Sequence, residues 1–393
     1  MKENKIILAS LFLVFSLVSC ATVDVPNIDG TNKFQADKDE ASQWKECEEA
    51  QRTLIKSNFV CEDAGLNEYV NQVLHKMTGA IEEKSGVTLK AYVIKDPNFN
   101  ACAFPNGVIF VHTGLLANLD NEAQLATILG HEATHVFHRH GLKTLRSQVN
   151  TAAFFSSLQV IFMGAGSGAP ATDLINYYVQ MGYQAAVMGY SRDLEREADV
   201  QGFAFIEKAG YDPGEAKKAF ENLDKAIEKE KIKIPYAYQS HPKVQERIKS
   251  MDLLIKELSK NKVDQVQAVN NADVYIAKTK NVLLDNAELD LKRNGIKFAR
   301  REVEKYAKFY PNDPRQAFLM GKVLILENKI EDAEKELKKA VEIDKNFPLS
   351  YKELGLLYYK KGDKPKAKEF FNEYLKINPN ANDAEYVRRY INE

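Results

Sequence analysis

Apolar side chains return every three or four residues through most of this chain, the period of a helix with one buried face. Over 37–85 the positions Leu66, Tyr69, Val70, Val73 and Leu74 keep that period and predict helix. Two short stretches break it: 89–94 alternates, and 107–112 reads Gly-Val-Ile-Phe-Val-His, so both predict strands. Asn121 then stands as an N-cap before a long helix bearing Leu125, Ile128, Leu129, Val136 and Phe137. Helical patterns return over 171–210, 215–231 and 242–260. Residues 152–163 form an apolar patch before Gly164-Ala-Gly-Ser-Gly168. That patch is too short for a ~30 Å hydrocarbon core, which leaves a buried helical segment or a loop that touches membrane or gates a substrate. The pattern predicts an α+β domain over 37–262, mainly helical with a small β-sheet.

From 263 onward the pattern repeats. Pro314-Arg-Gln-Ala-Phe-Leu-Met-Gly321 matches Pro348-Leu-Ser-Tyr-Lys-Glu-Leu-Gly355, 34 residues on. Ala299, Ala333 and Ala367 keep the same offset, as do Asn294, Asn328 and Gly362, residues that tolerate the left-handed backbone ending a helix. Small residues at Gly321/Gly355 and Ala333/Ala367 admit a close helix pair, filled by Leu337/Phe371 and Ala340/Tyr374. Helix pairs at this period resemble tetratricopeptide repeats. The resemblance implies an all-α solenoid over 263–393: two clear repeats, a degenerate one from near Lys280, and a capping helix around 383–391. A concave surface of this kind implies a protein partner.

The N-terminus changes the compartment. Lys2 and Lys5 precede an apolar run over 6–18 that ends Leu17-Val18-Ser19-Cys20. A positive start, an apolar centre and a small-residue exit predict a secretory signal over 1–19. A cysteine after Leu-x-Ser resembles a bacterial lipobox, which implies lipid on Cys20 and a membrane attachment; an uncleaved signal anchor is the alternative. Ala21, in place of Asp, implies the outer membrane, facing the periplasm. Residues 20–36 are polar and read as a lipid-anchored tether. Outside the cytoplasm disulfides are permitted. Cys47 and Cys61 are a possible pair, closing a loop worth about 3 kcal/mol, with Cys102 left over as a small buried hydrophobe. The 393 residues allow two or three domains. With 54 basic against 55 acidic residues the net charge is −1, which excludes a basic nucleic-acid binder.

The chemistry centres on Gly130-His131-Glu132-Ala133-Thr134-His135. Histidines four apart share a helix face and reach one zinc, while Glu132 falls beside it, placed to take a proton from zinc-bound water. A third protein ligand is required. Ser191-Arg192-Asp193-Leu194-Glu195-Arg196-Glu197-Ala198-Asp199 offers Glu195, with Asp199 on the same face to fix a histidine tautomer. Glu197 lies about 200° around that helix from Glu195 and is not expected on the same metal. His138 and His140 lie near the motif but are rotated about 300° and about 140° from His135 along a helix, and are not counted as ligands.

These motifs, with Arg139-His140-Gly141, the upstream Asn100-Ala-Cys-Ala-Phe-Pro-Asn-Gly107 and Thr113-Gly114-Leu115-Leu116, resemble the HtpX/BepA/CAAX-prenyl-endopeptidase family of zinc metallopeptidases. The resemblance implies a zincin-type domain with one Zn2+ held by His131, His135 and Glu195, and Glu132 as general base. It makes His140 structural. Ser240-His241-Pro242 with Arg247 also matches a family element. His241 has two readings: a resting-state ligand or oxyanion donor, or a capping or core residue. Residues 100–111 read as an edge strand beside the cleft, able to pair with an extended substrate. The implied activity is zinc-dependent hydrolysis of unfolded or misassembled cell-envelope polypeptides, in a layout like that of BepA-type proteases. The alternative is a periplasmic chaperone or assembly scaffold acting through its repeats with latent proteolysis.

Overall fold

The computed structural model describes residues 25–147, 190–230, 244–261 and 268–392. The leader with Cys20, the apolar patch at 152–163, the helical pattern over 171–189 and His241 lie outside the described residues. The helical stretch expected over 37–85 is two helices, α1 (Lys38–Ile55) and α2 (Ala64–Ser85). They part because Asp63 caps α2, accepting a hydrogen bond from the Leu66 N–H at 2.9 Å. The segment between them turns over 56–59 and then bridges to the sheet at Val60, and its Cys61 N–H donates to the Val93 carbonyl at 2.8 Å.

Three strands follow: β1 (Lys90–Ile94), β2 (Ala101–Ala103) and β3 (Val108–His112). Their order is β1-β3-β2, so β2 is an edge. β1 runs parallel to β3 with Lys90 opposite Val108, and β2 runs antiparallel with Cys102 opposite Phe110. Strand alternation splits two hydrophobic sets across the sheet. Leu89, Val93, Ile109 and Val111 join the main core with Val70 and Leu74 of α2. Ile94, Cys102, Phe104 and Phe110 face the other way, onto Leu54 of α1. That division also explains the cysteines. Cys47 packs on the α1 side of the sheet and Cys61 on the main core, so the expected pair stands as two free thiols. Cys102 is buried, as its role of small hydrophobe requires.

After β3 come α3 (Thr113–Asn118) and α4 (Glu122–Phe137). Asn121 caps α4 by accepting from the Gln124 N–H at 3.0 Å. Every residue of α4 is buried, so its polar side chains need internal partners. Glu122 accepts from the Tyr69 and Tyr211 hydroxyls at 2.9 and 2.8 Å, and Gln124 donates to Glu215 at 2.8 Å. Then follow α5 (His140–Ser147), α6 (Arg192–Lys208), α7 (Gly214–Glu230) and α8 (Val244–Asn261). The stretch 25–36, read in the sequence as tether, is docked. Val25 packs on Leu142 and Leu145, and the Ile28 N–H donates to the Phe137 carbonyl at 2.6 Å. Its few apolar residues are spaced to reach separate sites, which a composition average hides.

The repeat region holds α9 (Ala272–Lys292), α10 (Ile296–Ala307), α11 (Pro314–Leu326), α12 (Ile330–Ile343), α13 (Pro348–Lys360), α14 (Lys364–Ile377) and α15 (Ala384–Asn392). Asn294, Asn328 and Gly362 turn between paired helices with φ of 64°, 61° and 81°. A Cβ on Gly321 would meet the Leu337 side chain at 2.7 Å, and one on Gly355 the Phe371 ring at 2.5 Å. The small positions are therefore where paired helices touch, as the repeat pattern predicts. No described helix is long and apolar enough to cross a membrane.

Helix α9 serves both cores. Tyr275, Ile276 and Val282 lie in the main core, while Leu283, Leu284 and Ala287 lie in the repeat core. A buried polar chain crosses the same seam: the Thr113 hydroxyl donates to Asn286, and Asn286 donates to Glu302 at 2.5 Å. Burial pushes Asp290 up to about 6 against the pull of Arg293, and burial beside Asp290 pushes Glu302 up too. Acids whose folded-state pKa is raised favour the fold most at low pH, and that contribution is lost as pH rises through about 6. Asp290→Asn is expected to flatten a stability loss of roughly 1–3 kcal/mol between about pH 5 and 7.5. Urea midpoints at the two pH values measure it; an unchanged difference counts against this account.

Candidate metal centre

α6 crosses α4 with the two backbones in contact. A Cβ on Gly202 would lie 2.8 Å from the His131 nitrogen, and one on Gly130 would lie 3.0 Å from the Gly202 carbonyl. This approach sets Glu195, on the first turn of α6, against His131 and His135. Ser191 caps that turn, accepting from the Leu194 N–H at 3.3 Å. The separations are 3.1 Å between the histidine Nε2 atoms, 3.5 Å from His131 Nε2 to Glu195, and 3.6 Å from His135 Nε2 to Glu195. Donors about 2.0–2.1 Å from a tetrahedral zinc stand about 3.3 Å apart. Two imidazoles and a carboxylate, all almost fully buried, therefore fit one zinc ion. Gly202→Ala should separate the helices at a cost of about 1–3 kcal/mol and weaken zinc binding, measurable by chemical melts and a zinc-chelator competition. Wild-type affinity in that variant would contradict the role given to the crossing.

Each imidazole is held from behind. His131 Nδ1 lies 3.0 Å from Asp199, and Asp199 accepts from Arg247 Nη2 at 2.5 Å. Burial pushes the Asp199 carboxyl up, but the Arg247 charge and the hydrogen bonds from His131 and Arg247 prevail and hold it well below the usual carboxylate range. Arg247 itself stacks over the Phe220 ring at 4.1 Å. His135 Nδ1 lies 2.8 Å from His140 Nδ1, and the Tyr190 ring stacks on His135 with centroids 4.0 Å apart. Glu132 is buried next to the ligands and accepts from the Ala103 N–H of β2 at 2.9 Å.

The structure thus brings together His131, Glu132, His135, Glu195 and Asp199. His140 stands differently from its rotational expectation. α4 ends at Phe137 and Arg139 takes a left-handed φ of 52°, so the chain turns back and His140 meets His135. Glu197 keeps clear of the three ligands and faces His138 and His140. Tyr190 was not legible in the sequence: it precedes the capping Ser191 and belongs to no periodic face. The Ala103 N–H had a signal, since an edge strand was expected there, but its partner was not.

Histidines one turn apart on a buried helix, closed by a glutamate from a crossing helix, form a candidate metal centre of the zincin arrangement. Residues 65–255 match Peptidase family M48, and residues 321–362 and 348–381 match tetratricopeptide repeat families. The chain carries a Peptidase family M48 domain followed by tetratricopeptide repeats, as the motifs implied. It is 30% identical over 203 residues to the putative beta-barrel assembly-enhancing protease of Vibrio cholerae, covering 50% of this chain and 40% of that one. It is 29% identical over 185 residues to the mitochondrial metalloendopeptidase OMA1 of Schizosaccharomyces pombe, covering 47% of this chain and 51% of that one. It is 23% identical over 243 residues to the beta-barrel assembly-enhancing protease of Escherichia coli, covering 60% and 47%. The chain spans about half the length, or less, of these curated relatives.

Proposed function

We propose that the chain is a zinc-dependent metalloendopeptidase that hydrolyses peptide bonds of misfolded or misassembled cell-envelope proteins. The observation that carries this reading is the buried His131/His135/Glu195 set with Glu132 beside it, free of the ligand role. Zinc, when bound, supplies Lewis acidity that polarises the scissile carbonyl and lowers the pKa of water toward about 7. Glu132, oriented by the Ala103 N–H, takes a proton from the attacking water and delivers it to the leaving nitrogen. Asp199 with Arg247 fixes the tautomer of His131, and His140 does so for His135.

Substrate placement follows from β2. Asn100 and Phe104 bond to β3, so the backbone groups of Ala101 and the carbonyl of Ala103 point to the free edge beside α4, while the Ala103 N–H is taken by Glu132. An extended chain pairs there through its backbone and selects for unfolded segments over a fixed sequence. The repeats supply a surface for a protein partner. The lipobox resemblance at Cys20 and the names of the beta-barrel assembly-enhancing relatives favour an outer-membrane, periplasm-facing location. Envelope proteomics with Glu132→Gln in place of wild type tests the whole reading. Trapped, uncleaved polypeptides are the expected result; an unaltered envelope proteome, with the cellular phenotype retained, favours the scaffold.

A further inference from the structure

Just behind the centre lies a second set of side chains able to ligate a metal, of which only His140 has a part in the proposed reaction, behind His135. α4 stops at Phe137, and His138 and His140 flank Arg139, whose left-handed φ of 52° reverses the chain. That backbone conformation is strained for a non-glycine residue. Arg139 is held by Glu40 at 2.9 and 2.6 Å and by Asp37 at 3.0 Å, so the reversal is built in. Its effect is to aim both histidines at Glu197 on α6. His138 Nδ1 makes a close contact with one Glu197 oxygen, and His140 Nε2 lies 3.4 Å from the other. One donor atom from each of the three residues falls within 4.8 Å of the others. His140 forms a fully buried floor, while the His138 and Glu197 side chains are 14% and 33% exposed, which leaves an open mouth.

We propose that His138, His140 and Glu197 form a second site for a divalent first-row transition cation, and that filling it opposes metal binding at His131, His135 and Glu195. Two imidazoles and a carboxylate suit zinc, cobalt or nickel. Lys143 Nζ, 4.0 Å from Glu197, and Asn27, 3.2 Å from His138 Nδ1, make this the weaker site. The opposition comes from proton placement. A neutral imidazole has one N–H, so His135 bound through Nε2 must carry its proton on Nδ1, facing His140 Nδ1 at 2.8 Å. His140 then accepts there and keeps its own proton on Nε2, the atom the second cation needs. A cation on His140 Nε2 moves that proton to Nδ1, and two N–H groups would meet head-on. Zinc in excess therefore lowers the affinity of the first site. This second half rests on the proposed function; the existence of the site does not.

Equilibrium dialysis against Zn2+ with metal analysis tests it on the purified protein. Glu195→Ala, which breaks the first set, should still take up about one equivalent through the second. Adding His138→Ala or Glu197→Gln, both at the partly exposed mouth, should weaken that uptake at least tenfold. No uptake by Glu195→Ala, or uptake indifferent to both added substitutions, overturns the site. For the opposition, proteolysis by the wild-type protein should fall in excess zinc and His138→Ala should resist that fall. Equal inhibition of both overturns it. A wild-type protein that never cleaves sinks the proposed function instead, and the dialysis still reads the site.

Discussion

Glu132→Gln lowers peptide hydrolysis by about 10²–10⁴-fold while zinc content stays at the wild-type level. The amide has nearly the shape of the carboxylate, and its oxygen still accepts the Ala103 N–H that orients Glu132. What it lacks is a basic site for the water proton. Glu132 lies outside the ligand set, so metal binding does not depend on its charge. Turnover of an unfolded protein, measured alongside zinc stoichiometry, separates the two effects. Cleavage within a few-fold of wild type would remove Glu132 from the mechanism, and zinc lost together with activity would make it a ligand.

Arg247→Met has the largest expected effect on the fold. Asp199 is 4% exposed and its charge is balanced by the 3% exposed guanidinium. Removing one partner of a buried pair costs about 3–5 kcal/mol because the other charge is left without compensation. Methionine keeps much of the apolar contact with Phe220, so the loss reports the charge. The pH dependence carries the sign. A carboxyl held below its usual range contributes stability that is present above an unfolded pKa of about 4 and lost as pH falls through its folded value. Without Arg247 that loss begins at a higher pH. Zinc affinity should also drop by about 10–100-fold, since Arg247 no longer holds the Asp199 carboxylate in place behind His131. Urea melts across pH with a chelator competition read both; a stability change under about 1 kcal/mol would show the pair to be solvated.

The clustering of the proposed ligands was legible because helix periodicity is local: four residues of spacing settle that His131 and His135 share a face. Asp199 followed from the same rule relative to Glu195. The repeat turns at Asn294, Asn328 and Gly362 were equally readable, since a left-handed residue is a chemical choice visible in the letters. What the sequence hid is whatever depends on where a helix stops. His140 appeared turned away because the helix was extended past Phe137, and Arg139, whose partners Glu40 and Asp37 lie about a hundred residues earlier, ends it. The docked stretch at 25–36 was hidden for the same reason: two apolar anchors in a polar segment mean little until their sockets exist. Long-range pairing also decided the cysteines, which sit on opposite sides of one sheet.

Helix α9 makes the peptidase and the repeats share a beam, not a leash. Its Tyr275 hydroxyl donates to the Leu116 carbonyl at 2.6 Å, and eight residues later its Leu283 is seated among the repeats. Cutting the chain at 262/263 would pull that beam out and leave an apolar trench in the half that holds the metal-ligand candidates. Any shift of the repeats relative to the sheet would have to break or carry along the Thr113–Asn286 bond at that seam.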